Sequence, residues 1–128
     1  MLRYLPLVLI MIAGCAKDET LAAFARGQGP FTLTSIDSQP VGYTATIDIT
    51  QAGRISGQAP CNRYFAAQTA PYPWFEIGPI GATQMACPDL DAEQVFFDTL
   101  SSMTLAEVGG GVLILSNDDG SRMIFQMP

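Results

Sequence analysis

The chain has 128 residues, with 12 acidic against 6 basic side chains, no histidine and a net charge of −6. That length suits one compact domain, and the acidic balance excludes a nucleic-acid binder, which needs clustered Lys and Arg to neutralise phosphate. Without histidine there is no Ser-His-Asp or Cys-His catalysis, no histidine zinc site and no ordinary general base near neutral pH. Hydrophobic residues make up 48% and charged residues 14%, enough apolar content to bury a core rather than stay disordered.

The N-terminus reads as an address. Arg3 precedes an apolar run, Tyr4 to Ile12, too short to span a hydrocarbon core, which takes roughly 20 helical residues. It fits an export signal. Ile12-Ala13-Gly14-Cys15 resembles the lipobox of bacterial lipoproteins. The resemblance implies cleavage after Gly14, a diacylglycerol thioether on Cys15 and acylation of the new terminus. An ordinary signal peptide that happens to hold a cysteine is the competing reading. The short run and the small residues before Cys15 favour the lipobox.

Ala16, rather than aspartate, follows Cys15, which favours sorting to the outer membrane, on its periplasmic face. Residues 1–14 are thus the signal peptide and 15–29 a lipidated tether, polar at its start and glycine-rich at its end. Leu21, Phe24 and Ala25 can form one helical turn within it. The folded domain is expected over 30–128. Without the signal the chain keeps five basic and twelve acidic residues. Anionic headgroups repel such a surface, so the anchor rather than electrostatics must hold it to the membrane.

Along the domain the apolar period is mostly two. Phe31, Leu33 and Ser35 alternate with Thr32, Thr34 and Ile36 in a first strand. Ser38 to Gly42 is a turn. Tyr43, Ala45, Ile47 and Ile49 then alternate with Thr44, Thr46, Asp48 and Thr50, the cleanest half-buried strand pattern in the chain. Ala52-Gly53 turns it into a short strand over 54–58. Trp74 to Ile77 reads as another strand after the Pro71 and Pro73 break. Near the end, strands over 105–108, 112–116 and 122–127 are joined by Gly109-Gly-Gly111 and Asn117-Asp-Asp-Gly120 into an antiparallel meander.

One helix interrupts the strands. Ala92, Val95, Phe96, Thr99, Leu100 and Met103 form a single stripe at helical spacing. Asp89 suits the N-cap, with Asp91 and Glu93 in the first turn, where the helix dipole favours negative charge. The pattern predicts an α+β domain, mainly antiparallel β, with a small curved sheet and one amphipathic helix covering or plugging one end.

Cys61 and Cys87 are the only thiols beyond Cys15. In an oxidising compartment an isolated pair is expected to be bridged. Closing about 27 residues this way stabilises a fold by roughly 3.5 kcal/mol in the chain-entropy model. A redox or metal-binding pair is the alternative, but no Cys-x-x-Cys, histidine or lysine stands near to lower a thiol pKa.

Gly57-Gln-Ala-Pro-Cys-Asn-Arg-Tyr-Phe65, Ile77-Gly-Pro-Ile80 and Thr83-Gln-Met-Ala-Cys87 are followed by Glu93 and Phe97 on the helix. Together these resemble the META/HslJ family. The opening Phe31 to Ile36 and the closing Leu113 to Phe125 also match, so the likeness runs over roughly 30–127. The family often has further glycines where this chain has Phe65-Ala-Ala67. The resemblance implies a mainly antiparallel domain like a partly open barrel. It also implies an envelope lipoprotein linked with heat shock, antibiotic tolerance or secretion, with no catalytic residues to carry over. The motif residues then read as structural: Gly57 for a tight backbone position and Asn62 for a turn. Tyr64 and Phe65 read as core, with Thr83 and Met85 packing beside Cys87.

Chemistry beyond this is thin. Asp89-x-Asp91-x-Glu93 lacks the glycine and spacing of a calcium loop, and the sole lysine, Lys17, stands beside the anchor. No metal, cofactor or catalytic residue is expected. The sequence favours a non-enzymatic envelope lipoprotein acting through contacts with another envelope protein. The alternative is a carrier, chaperone or secretion pilot, holding an acyl chain or amphipathic peptide in an apolar pocket of Tyr43, Ile47, Trp74, Phe75 and Phe96. In the competing reading those five side chains simply fill the core.

Overall fold

A computed structural model describes residues 17–128; residues 1–14, read above as a signal peptide, and Cys15 lie outside the described residues. The elements in order are α1 (Leu21–Ala25), β1 (Phe31–Ile36), β2 (Gln39–Pro40), β3 (Thr46–Ile47), β4 (Arg54–Gln58), β5 (Arg63–Ala67) and β6 (Gly81–Ala82). They continue with α2 (Leu90–Ser101), β7 (Leu105–Gly109), β8 (Val112–Ser116) and β9 (Arg122–Gln126). Every strand pair is antiparallel. One sheet runs β2-β1-β9-β8-β7 with β3 also on β1, and a second runs β4-β5-β6. The fold is α+β with a curved, unclosed sheet.

The C-terminal meander follows from its turns. Gly110 and Gly111 both take positive φ, 59° and 77°, as a two-residue hairpin turn of the primed type demands. The β1–β2 hairpin makes the same turn without glycine: Asp37 and Ser38 sit at φ 51° and 67°. The Asp37 carboxylate accepts from the Ser121 hydroxyl at 2.9 Å and the Arg122 N–H at 2.8 Å, which ties this corner to the start of β9.

The cleanest alternation in the sequence makes the shortest ladder. Ala45, Ile47 and Ile49 are buried as their period requires, yet only Thr46–Ile47 pairs as a strand, with β1. Beyond it, Asp48 and Ser56 form a single bridge to β4. The segment changes partner at Asp48, joining the two sheets, so no one neighbour holds it long enough for a full ladder.

Trp74 to Ile77 is likewise not a strand. It spans the gap between β5 and β7 by isolated bridges, Gln68 with Ile77 and Trp74 with Leu105. The buried Gln68 amide oxygen holds the approach by accepting from the Ala70 and Glu76 N–H groups at 3.1 and 3.2 Å.

The stripe on α2 is rotated from its expected position. Val95 faces solvent, while Glu93, Phe96 and Leu100 are buried and Phe97 packs against the core. These positions, i, i+3, i+4 and i+7, also share a helix face. Asp89 precedes the helix, but its side chain makes no capping bond. Phe96 and Leu100 meet Phe31, Ile47, Leu113 and Phe125 in one continuous core.

Residues 15–29 read as a tether, yet the structure places Leu21–Ala25 in a helix with Leu21 and Ala25 buried. Thr20 bridges Pro71, the Tyr72 N–H donates to the Glu19 carbonyl at 2.8 Å, and Phe24 stacks on Tyr72 at 4.3 Å. Three apolar side chains outweigh the polar composition that suggested a linker.

Two glycine–aromatic pairs shape the small sheet. Gly57 is registered with Tyr64, and Gly81 with Phe65. Each ring lies over its glycine, a recurrent way of covering bare strand backbone. A Cβ on Gly57 would sit 2.8 Å from the Thr46 carbonyl carbon and 3.1 Å from the Tyr64 ring. Gly57→Ala should therefore destabilise the fold by about 2 kcal/mol or more, as overpacking against backbone does. Gly109→Ala, with open space around it and no positive φ, should change stability little. Urea denaturation followed by tryptophan fluorescence compares the two.

Candidate functional site

The residues that carry the sequence resemblance converge at the N-terminal end of α2. Cys61 and Cys87 form a disulfide with Cα atoms 6.0 Å apart, within the ordinary span of such bridges. The bond ties the loop after β4 to the segment entering the helix.

Asn62 is the hub beside it. Its amide oxygen accepts from the Thr83 hydroxyl at 3.0 Å and the Met85 N–H at 2.7 Å. Its amide nitrogen donates to Glu93 Oε2 at 2.8 Å and to the Met85 carbonyl at 3.3 Å. Both donors and both acceptor positions of the side chain are thus used. Thr83 also pairs with Arg63 through its backbone and hydroxyl, continuing the β5–β6 edge.

Glu93 completes the cluster from the helix. Its Oε1 accepts the N–H groups of Cys61 at 3.0 Å and Asn62 at 2.6 Å, while Oε2 takes the Asn62 amide. A buried carboxylate is costly unless fully hydrogen-bonded, and charge-assisted bonds of this kind are the strong ones. Every partner is a donor, so the group acts as an acceptor only. Its burial also separates it from Asp89 and Asp91, which are exposed. No group of three metal-ligating side chains is found among the described residues.

The remaining predicted residues divide between core and surface. Tyr64 is buried, edge-on to Phe96 and Phe97 at 5.5 and 5.6 Å. Its hydroxyl donates to the Thr46 carbonyl at 2.8 Å, reaching past Gly57, and burial pushes its phenol well above the ordinary value. Phe65, expected in the core, faces out over Gly81 with the Arg54 guanidinium 4.8 Å from its ring. Strand alternation puts neighbours on opposite faces, so only one of the pair can be inside. Met85 is 63% exposed, with its backbone clasped by Asn62.

The five proposed pocket residues do not share a cavity. Ile47, Phe75 and Phe96 are core side chains at 0 to 1% exposure; Phe75 shares an open cleft of about 380 Å³ with Trp74, alongside Ala70, Glu76 and Met103, and neither Ile47 nor Phe96 lines it. Tyr43 is half-buried at the core margin, and Trp74 is exposed. The open cleft at this end lies elsewhere, between Met85 and Leu90, with a volume of about 410 Å³; Ile80, Ala82 and Phe97 line it together with the polar residues Asn62, Thr83, Gln84 and Glu93.

Sequence reasoning placed Glu93 among solvated first-turn acids. The signal for its burial was its spacing of 3 and 7 from Phe96 and Leu100, the positions of an inward face. Asn117 carries a second role of this kind: its amide donates to the Ser102 carbonyl at 3.2 Å while its oxygen accepts from the Asp119 and Ser121 N–H groups at 3.1 Å. It thereby fastens the other end of α2 to the β8–β9 turn.

The model of the META domain matches residues 21–128, and the chain belongs to the META domain family. The match begins at Leu21 and so takes in the docked helix α1. Two solved structures share the fold. One is the NMR structure of a protein from Burkholderia xenovorans, 21% identical with a TM-score of 0.61, covering 88% of this chain and 92% of that one. A second NMR structure is 18% identical with a TM-score of 0.57, covering 75% of this chain and 86% of that one. No curated protein matches.

Glu93→Ala leaves two backbone N–H groups and one amide without acceptors, and should cost about 3 kcal/mol or more at 1–3 kcal/mol per stranded buried donor. Asp91→Ala, one turn position away and exposed, should cost under about 0.5 kcal/mol. Chemical denaturation of both variants with the disulfide intact reads the difference.

Proposed function

We propose that this META-domain protein is a lipid-anchored envelope protein, held on the periplasmic face of the outer membrane. It serves stress response or membrane maintenance through contact with another envelope protein, without catalysis. The observation that carries this reading is the mutual satisfaction of its distinctive polar residues. Asn62, Thr83 and Glu93 spend their hydrogen-bonding groups on one another and on the backbone, which leaves the surface, not a reactive group, to act. The lipobox at Cys15 supports the anchor, and the disulfide suits an oxidising compartment.

The surface that favours a protein partner is the cleft flanked by Met85 and Leu90, 63 and 45% exposed. Two exposed apolar side chains around a lining that is part apolar (Ile80, Ala82, Phe97) and part polar (Asn62, Thr83, Gln84) suit an amphipathic segment, and Met adapts to irregular partners. The clasp fixes the backbone on both sides of this cleft, so the surface is preorganised. The carrier reading requires an enclosed apolar space shared by its five residues, whereas Trp74 and Phe75 line an open cleft with Glu76, Ser101 and Thr104, and Ile47 and Phe96 lie in the core.

A photo-reactive amino acid at Met85 or Leu90 should give a reproducible protein adduct in living cells. One at Asp118, on the exposed β8–β9 turn, should not. Absence of any adduct above background from 85 and 90, with normal protein levels, would contradict the contact reading.

A further inference from the structure

The docking of the N-terminal segment changes what an anchor at Cys15 can do. From Glu19 onward the chain is committed to the domain: Glu19 accepts the Tyr72 N–H, Thr20 bridges Pro71, and Leu21 and Ala25 are buried. Asp18 is folded back as well, its carboxylate accepting the Thr20 N–H at 2.9 Å and hydroxyl at 2.6 Å. Only Ala16, Lys17 and Asp18 separate Cys15 from Glu19. Four Cα steps reach about 14 Å at full extension, where a tether running to residue 29 would reach about 50 Å.

Such a leash is about the radius of gyration of a domain this size, roughly 13 Å. The domain cannot swing clear of the membrane, so the face around Thr20 and Pro71 stays next to the bilayer. That face is aromatic. Phe24, one helical turn from Thr20, is 48% exposed while stacked on Tyr72. Trp74 closes a turn from Pro71, its N–H donating to the Pro71 carbonyl at 2.8 Å, and is 58% exposed. A turn of this kind keeps its end residues within about 7 Å. The backbones of Phe24 and Trp74 therefore lie close to the point where the chain leaves the fold. Aromatic rings are the side chains that settle at the headgroup level, one end apolar and the other wet. The net acidic charge of the domain gives no electrostatic attraction to anionic lipid, so apolar contact is the means available.

We propose that Phe24, Tyr72 and Trp74 form a membrane-facing surface that rests in the headgroup region of the bilayer and fixes the domain's orientation there. The opposite surfaces are then presented to the periplasm. The proposal rests on the lipid anchor at Cys15 given above, and one experiment separates the two. Trp74 is the only tryptophan in the chain, so its emission reports this face alone.

The full-length protein, processed in a host that lipidates it, is reconstituted into phosphatidylethanolamine–phosphatidylglycerol vesicles with or without a brominated phosphatidylcholine. Emission of Trp74 should move to shorter wavelength on reconstitution and lose roughly half its intensity to bromine, as an indole at the interface does. Phe24→Ala should lessen the loss. Water-like emission with no bromine quenching, in protein whose mass carries the lipid on Cys15, overturns the surface and leaves the anchor standing. A mature mass without lipid overturns the anchor, and the proposal with it.

Discussion

Three hydrogen bonds to one buried carboxylate hold this structure's two halves together. The Cys61 and Asn62 N–H groups and the Asn62 amide all point at Glu93, so the turn after β4 has its shape only when α2 is seated. Asn62 in turn clasps Thr83 and Met85, and the disulfide closes the same loop covalently. The cluster spans three separate stretches of chain. Breaking any one bond leaves polar groups stranded away from water, which is why such networks specify one arrangement rather than many.

With α2 fixed, the sheet can be thin. The segment that joins the two sheets, β3, pairs over two residues only, and the seam between β5 and β7 is spanned by single bridges. The helix supplies Phe96 and Leu100 to the interior, where they meet both sheets. Tyr64 links the parts: it covers Gly57, bonds the Thr46 carbonyl and packs edge-on against Phe96. The interior is a packed core, and the exposed apolar side chains lie in separate places, Met85 and Leu90 at the cleft and Phe24 and Trp74 beside the N-terminal segment, with Phe65, Val95 and Met127 also exposed. On the proposed anchor at Cys15, two such surfaces would serve, one turned to the bilayer and one to a partner.

Much of this was legible in the residues. Period-two runs and glycine turns marked the meander, because each strand there keeps the same neighbours along its whole length. Cys61 and Cys87 were legible as a pair because the one other cysteine, Cys15, falls in the lipobox-like motif. Less legible was anything set by a distant partner. The strand pattern over 43–50 was right about which side chains are inside and wrong about ladder length, since its neighbour changes at Asp48. The polar start of residues 17–20 concealed a docking segment whose contacts, Pro71 and Tyr72, lie some fifty residues away. Glu93 was misread because a charged residue at an inward position is ordinarily a surface residue; only the N–H groups of Cys61 and Asn62 make it otherwise.

Amide hydrogen exchange at Cys61 and Asn62 tests the clasp most directly, because both N–H groups sit in an irregular turn where no strand or helix protects them. If Glu93 holds them, they exchange as slowly as the Leu113 and Leu115 amides of β8, through global opening alone. In Glu93→Ala they should lose that protection while β8 keeps its own relative to the variant's stability. Fast exchange at both positions in the unaltered, disulfide-bonded protein would contradict the account.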